Sequence, residues 1–394
     1  MHLRTLSFLL ITTASESYGS SIAGSFASSH ELSYYPPNAE CTEYQIPVTI
    51  TSDNLVFNIT QWRDDYALQD FLTTFTTRSS AHYPPIKDGT TVTETFTYNI
   101  AASFCRPKSL SKSEVVILAT HGVGLARAHW NSPFKPEEHN FVQHAIDKGY
   151  SVFFYDRLGN GKSDKPSGYK NQSRMQREVL KKLATLVRSG RYTGNSGAPD
   201  KVVAMGFALG AYIAHYTMAA QPSLFDAAIL TGVNYNTSVI NTNGLVRSFV
   251  PRVASLQNSH KFGGLDTGYV TWVDGIANIN TYFKYPYYDV DLALSIEEMK
   301  NPFSFTEFET LIDGDLDASN FTGPVLAMAG KNDYVICDGE CEGIFEDAAR
   351  TVFKNAKPVL PYLHPHSSHN INFHHNATAA FSVITDFLDA HLQA

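Results

Sequence analysis

Ala208 sits between Gly206 and Gly210, where the largely apolar run Lys201–Phe207 meets a second apolar stretch, Leu209–Tyr216. A strand that passes into a helix through so tight a turn lifts its middle residue clear of the backbone, and the flanking glycines permit the sharpness. In the G-x-S-x-G form of this turn the middle residue is a serine. Its hydroxyl, activated by a histidine that an acid orients, attacks an ester, thioester or lactone carbonyl; an acyl-enzyme forms and water releases it. Here the alanine supplies the position without the oxygen. The sequence carries a frame for acyl transfer and lacks the nucleophile.

Candidates for the base crowd one segment, His364, His366, His369, His374 and His375, and residue type alone does not choose among them. For the acid, Asp333 follows the apolar run Val325–Ala329 almost directly. A strand there would deliver its carboxylate to the sheet edge, where it can accept from an imidazole Nδ1–H. Asp338, in the same loop, is the rival. So many histidines also suggest a metal cluster, but no acid or cysteine stands at a matching spacing. Cys337 and Cys341 fit half a zinc site loosely and have no second pair. No metal and no cofactor is expected. The four cysteines form an even set that an oxidising compartment could pair. Proximity joins Cys337 to Cys341 and leaves Cys41 with Cys105, with three connectivities possible.

Composition bounds what can hold these groups in place. With 394 residues, 43% hydrophobic and 17% charged, the chain can bury one large core, or a core with a subdomain. Its 30 basic and 38 acidic residues give a net charge of −8 without a basic stripe, which argues against a nucleic-acid partner. The N-terminus is basic at Arg4, then apolar from Leu6 to Ile11, then small-residue rich through Ala23. That order reads as a cleaved secretory signal over residues 1–23, since the apolar run is far shorter than the roughly 20 residues a bilayer span needs. A secreted chain without a stable membrane span is expected. Five N-x-S/T sequons, at Asn58, Asn171, Asn236, Asn320 and Asn376, are compatible with a glycosylated surface.

Residues 24–110 read as β-rich with one helix, because runs such as Ile46–Ile50 and Thr91–Tyr98 alternate apolar and polar side chains. From Val115 onward, short and almost wholly apolar runs take over: Val115–Thr120, Ser151–Tyr155, Val202–Met205, Ala227–Leu230 and Val325–Met328. Such runs suit strands covered on both faces. Helical periodicity separates them over Glu137–Lys148, Ser173–Arg188, Leu209–Ala220 and Ala377–Leu392. Alternation of this kind implies right-handed crossovers and a mostly parallel sheet. It lapses over 234–319, which reads as a helical cap inserted at the sheet's carboxyl edge.

Four signals now stand in one order. His121-Gly122-Val123-Gly124 follows the first apolar strand, Asp156-Arg157-Leu158-Gly159-Asn160-Gly161-Lys162-Ser163 follows the next, the turn at Ala208 comes third, and an acid followed by a histidine comes last. In this order the chain resembles the α/β-hydrolase fold family over roughly residues 40–394, departing from it at the nucleophile alone. The resemblance implies a core made of 111–233 and 320–394 with the cap between. Ser367-Ser368-His369 resembles the family's small-small-His turn, which selects His369 and gives Ala208, Asp333 and His369 as the triad positions. It also implies an oxyanion hole from the backbone N–H groups of Val123 and Leu209. The cap's aromatic cluster, Tyr269, Tyr282, Phe283, Tyr285, Tyr287 and Tyr288, suits a lid over an apolar or aromatic acyl group or a core of the cap itself. The substrate is therefore expected against His121, Gly122, Tyr282 and Tyr285, with His121 supporting its loop more than moving protons. Asp156, Arg157 and Ser163 read as structural, since Ser163 lacks a strand-to-helix turn. In relatives with an aspartate nucleophile the next residue is often tryptophan, whereas here it is Leu209, so serine-type chemistry on a small ester or lactone is expected. Two alternatives stay open: a non-catalytic binding protein on the same fold, and a hydrolase in which a base-activated water acts without an acyl-enzyme.

Overall fold

Strands with no polar face have nowhere to go but the middle of the molecule, and that is where the apolar runs lie. In the computed structural model, which describes residues 34–77, 86–109 and 112–392, they form the centre of an eight-stranded sheet. Its strands are β1 (Ala39–Phe57), β2 (Ile86–Pro107), β3 (Lys112–Thr120), β4 (Tyr150–Tyr155), β5 (Lys201–Phe207), β6 (Ala227–Thr231), β10 (Val325–Gly330) and β11 (Val359–His364). The spatial order is β1-β2-β4-β3-β5-β6-β10-β11. Pairings from β4 to β11 are parallel, and β1 and β2 attach in antiparallel fashion at one edge. The expected signal segment, 1–23, lies outside the described residues.

The long β1–β2 pair shows the alternation its sequence carries. Ile46, Val48 and Ile50 are buried, while Thr49 and Thr51 on the other face join hydroxyls with Thr97 and Thr95 at 2.8 Å. Cys41 faces Cys105 in this register and the two form a disulfide. The helix Ser173–Arg188 covers β1 and packs on Leu209–Ala220, burying Val179, Leu180, Leu183 and Val187. The predicted helix over Glu137–Lys148 divides in two, Pro136–His139 and Phe141–Asp147. Asn140 breaks it by taking an extended backbone and capping Gln143 N–H with its side chain.

The segment between β6 and β10 carries short helices joined by irregular stretches, the helices including Thr242–Phe249, Gly275–Tyr282, Val290–Met299 and Phe305–Glu309. It adds a small antiparallel sheet that the sequence pattern did not reveal, made of β7 (Arg252–Val253), β8 (Tyr269–Thr271) and β9 (Phe303–Ser304). Among the described residues no helix is long and apolar enough to cross a membrane. The sequon at Asn171 is not a surface site. Its side chain is buried, donates to the Leu158 carbonyl and accepts from Gln176, so a glycan there is incompatible with the fold.

Candidate active site

The turn from β5 into the helix Leu209–Ala220 holds Ala208 at φ 50°, ψ −119°, a conformation that residues with a Cβ rarely adopt. Its neighbours enforce it. The Ala208 N–H donates to Thr231 O at 2.9 Å, and the helix closes on the Ala208 carbonyl through Ala211 and Tyr212. A Cβ on Gly206 would lie 2.5 Å from Ala211 Cα, and one on Gly210 would lie 2.3 Å from Thr120 O. Strand and helix approach this closely only because both positions are glycine.

His369 and Asp333 meet beside the turn. His369 Nδ1 lies 2.8 Å from Asp333 Oδ2, with both residues buried. The other carboxylate oxygen, Oδ1, accepts from the N–H groups of Val335 and Ile336 at 2.9 and 3.2 Å. A carboxylate fixed on one side by backbone donors presents its second oxygen to the imidazole in a single orientation. His369 must then donate from Nδ1, which leaves Nε2 as the basic nitrogen. Tyr282, from the inserted segment, stacks nearly parallel on the His369 ring at 5.5 Å, and Phe207 flanks it at 4.9 Å.

Ala208, Leu209, Val123, Tyr282 and His369 line one cavity of about 200 Å³, whose remaining wall is largely apolar and includes Phe75, Leu245, Phe249, Phe308, Leu311 and Ile312. Leu209 opens its helix, so its N–H has no partner within the helix. Among the described residues no hydrogen bond uses the Leu209 or Val123 amide. The orientation of the second amide follows from the peptide before it. Gly122 O accepts from Arg157 Nη2 at 3.1 Å and from His121 Nδ1 at 2.9 Å. In a planar trans peptide the next N–H points the opposite way, so this clamp aims Val123 N–H away from Arg157.

Comparison with known proteins follows this geometry. The family described as serine aminopeptidase, S33, matches residues 137–277, a span that includes the turn at Ala208 but ends before Asp333 and His369. A thermophilic esterase from Thermogutta terrifontis shares 15% identity, with 74% of this chain and 94% of that one covered and a TM-score of 0.50. A candidate non-heme bromoperoxidase from Mycobacterium tuberculosis shares 16%, covering 75% and 97%, with a TM-score of 0.51. No curated protein sequence matches significantly. The chain has the α/β-hydrolase fold.

Within this fold the sequence-derived site residues divide. Ala208, Asp333, His369, Val123, Leu209 and Tyr282 come together; His121, Gly122 and Tyr285, expected beside the substrate, do not line the cavity. His121 is fully buried, with Nδ1 donating to Gly122 O and Nε2 accepting from Arg157 N–H at 3.0 Å. Burial and the Arg157 charge hold its pKa well below the ordinary value, so it stays neutral and structural. Gly122 packs against Phe207 and presents its carbonyl to the clamp. Tyr285 is 81% exposed and does not line the cavity. Asp338, the rival acid, ends the short helix Tyr334–Cys337 at φ 50°, and the partner of His369 Nδ1 is Asp333 instead.

The remaining histidines each have a bland place. His364 pairs with Asn376 O, His374 with Asn370 O and two backbone N–H groups, and His375 with Asp289, while His366 packs at a tilt against Tyr287. Among the described residues no cluster of ligands could hold a metal, and Cys337 and Cys341 are joined in a disulfide. Asp156 accepts from the Arg127 and Lys162 N–H groups, and Ser163 Oγ bridges Asp156 O and Ala101 N–H, so the turn that holds both is structural. Sequence reasoning missed His129, a buried ring stacked on Phe207 whose pKa is pushed down to about 3 by burial and by His369. It also missed most of the cavity wall, which residues far apart in sequence build.

Proposed function

We propose that this chain is an exported hydrolase of carboxylic esters or lactones whose serine nucleophile is replaced by Ala208. The observation that carries the reading is the His369–Asp333 pair lining the same cavity as a fully formed nucleophile turn. With serine at 208, Oγ would stand at the cavity floor. Its proton would pass to His369 Nε2 as it attacks the acyl carbon, and Asp333 would stabilise the imidazolium. The N–H groups of Val123 and Leu209 would receive the oxyanion. His369 would then return the proton to the leaving alcohol and later activate the water that frees the acid. The apolar wall suits a hydrophobic acyl group. Export is supported by the basic-then-apolar N-terminus and by the two disulfides.

A second reading is favoured by Ala208 itself. The strained turn, the free amides and the cavity need no hydroxyl, so the chain as it stands is able to hold an ester without cleaving it. Hydrolysis of short and medium acyl p-nitrophenyl esters by the chain and by Ala208→Ser separates the two. A gain of about 10³-fold, abolished by His369→Ala, supports the hydrolase; saturable binding with no gain supports the binding protein.

A further inference from the structure

The cavity has one feature that acyl transfer does not use. Among the described residues lining it, Glu309 carries the only carboxyl, on a wall otherwise made by Phe75, Phe308, Leu311 and Ile312. Glu309 ends the helix Phe305–Glu309, two residues beyond Glu307, and the two carboxyls have opposite fates. Glu307 is buried in an ion pair with Arg157, whereas no hydrogen bond or ion pair among the described residues engages Glu309.

Glu309 is half-buried on this apolar wall, and a carboxylate drawn partly out of water without a partner relieves the cost by holding its proton more tightly. Burial alone raises the Glu309 pKa to about 8. The other titratable side chains on the cavity wall, Tyr212, Tyr282 and His369, do not offset this: Tyr212 donates to Asn234 O, Tyr282 reaches Val123 O, and His369 is committed to Asp333. On the neighbouring helix Ser173–Arg188, Arg174 is paired with Asp313 and Arg177 lies over the Tyr216 ring, and no neighbouring charge offsets the effect of burial on Glu309. A pKa raised that far favours the neutral carboxylic acid at pH 6.5, with one O–H to donate.

We propose that Glu309 is a specificity-determining residue of the cavity, binding a keto or hydroxyl oxygen carried on the acyl chain of the substrate. This rests on the ester reading above and narrows it: the preferred acyl group is hydrophobic near the carbonyl and bears an oxygen farther along. A purely alkyl chain would leave the Glu309 O–H unsatisfied, which is the stronger part of the discrimination.

The chain as it exists allows a direct test, because an ester bound beside Ala208 should survive the titration. Binding of methyl hexanoate and methyl 5-oxohexanoate would be measured by calorimetry at pH 6.5 for the chain, Glu309→Leu and Glu309→Gln. The keto ester is expected to bind roughly 3- to 10-fold more tightly. Glu309→Leu should abolish the preference, Glu309→Gln, which keeps a donor, should retain it, and pH 9.5 should remove it in the unaltered chain. Equal binding of the two esters, or a preference that survives Glu309→Leu, overturns the assignment while leaving the ester reading intact. Tighter binding of methyl 6-aminohexanoate than of either ester overturns it in favour of an ionised Glu309. Binding of no ester overturns both.

Discussion

Arg157 and Glu307 offer a quantitative handle on how the fold holds its site. Both side chains are buried and joined by an ion pair, and the Arg157 guanidinium also donates to Gly122 O, the carbonyl that sets the direction of Val123 N–H. Glu307→Leu would strand a buried guanidinium, since only the Gly122 contact would remain. Losing one partner of such a pair costs about 3–5 kcal/mol, whereas replacing both with apolar residues of similar volume is often neutral. Domains of 150–250 residues lose roughly 2–4 °C per kcal/mol and a longer chain sits at the low end, so the melting midpoint should fall by about 6–10 °C. The double variant Arg157→Met with Glu307→Leu should regain most of that loss. In an Ala208→Ser background the double variant should still lose activity, because Gly122 O would have surrendered one of its two donors. The assays are thermal melts by circular dichroism and ester turnover. A shift of less than about 2 °C in Glu307→Leu, or a double variant worse than the single, would refute the reasoning.

Other expectations follow from the same geometry. Asp333→Asn in an Ala208→Ser background should lower kcat by about 10⁴, because an amide no longer enforces the Nδ1–H tautomer; steady-state kinetics with a p-nitrophenyl ester checks it. Gly210→Ala should cost about 3 kcal/mol or prevent folding, since its Cβ would meet Thr120 O and His121 O at 2.3 and 2.4 Å; urea denaturation reads this out. His129, His215 and His374 are held at about 3, 4 and 4 by burial, against roughly 6.5 when unfolded. Their folded pKa values are depressed, so below pH 6.5 the unfolded chain takes up protons that the folded chain refuses. Stability should therefore fall from pH 6.5 towards 4, by up to about 1.4 kcal/mol per pH unit for each histidine. His129→Gln should flatten that slope by about one proton, as measured by denaturation at pH 7, 6 and 5.

What the sequence made legible depends on how local the physics is. The turn at Ala208 could be read because strand, glycines and helix are contiguous, and the helices Ser173–Arg188 and Leu209–Ala220 begin and end where their patterns do. The strand β11 escaped notice because Pro358 precedes it and Pro361 interrupts its alternation. Both are tolerated because β11 is an edge strand, paired with β10 alone. The small sheet in the inserted segment is made of strands of two or three residues, too short to show a period of two. Tyr285 lies off the cavity although aromatic residues cluster around it in sequence: Tyr269 and Phe283 are buried in the inserted segment, and of that cluster Tyr282 alone lines the cavity. Glu309 carried no local signal: its consequence arises from lining one cavity with apolar residues such as Phe75, which is remote in the chain.

The most direct test of the central claim, that Ala208 stands in an otherwise assembled acyl-transfer site, is covalent labelling of Ala208→Ser by a fluorophosphonate, followed by intact mass and peptide mapping. The account predicts a single adduct on residue 208, absent from the unaltered chain and from Ala208→Ser with His369→Ala. A correctly folded Ala208→Ser that takes up no label, or a label found on another residue, would contradict it.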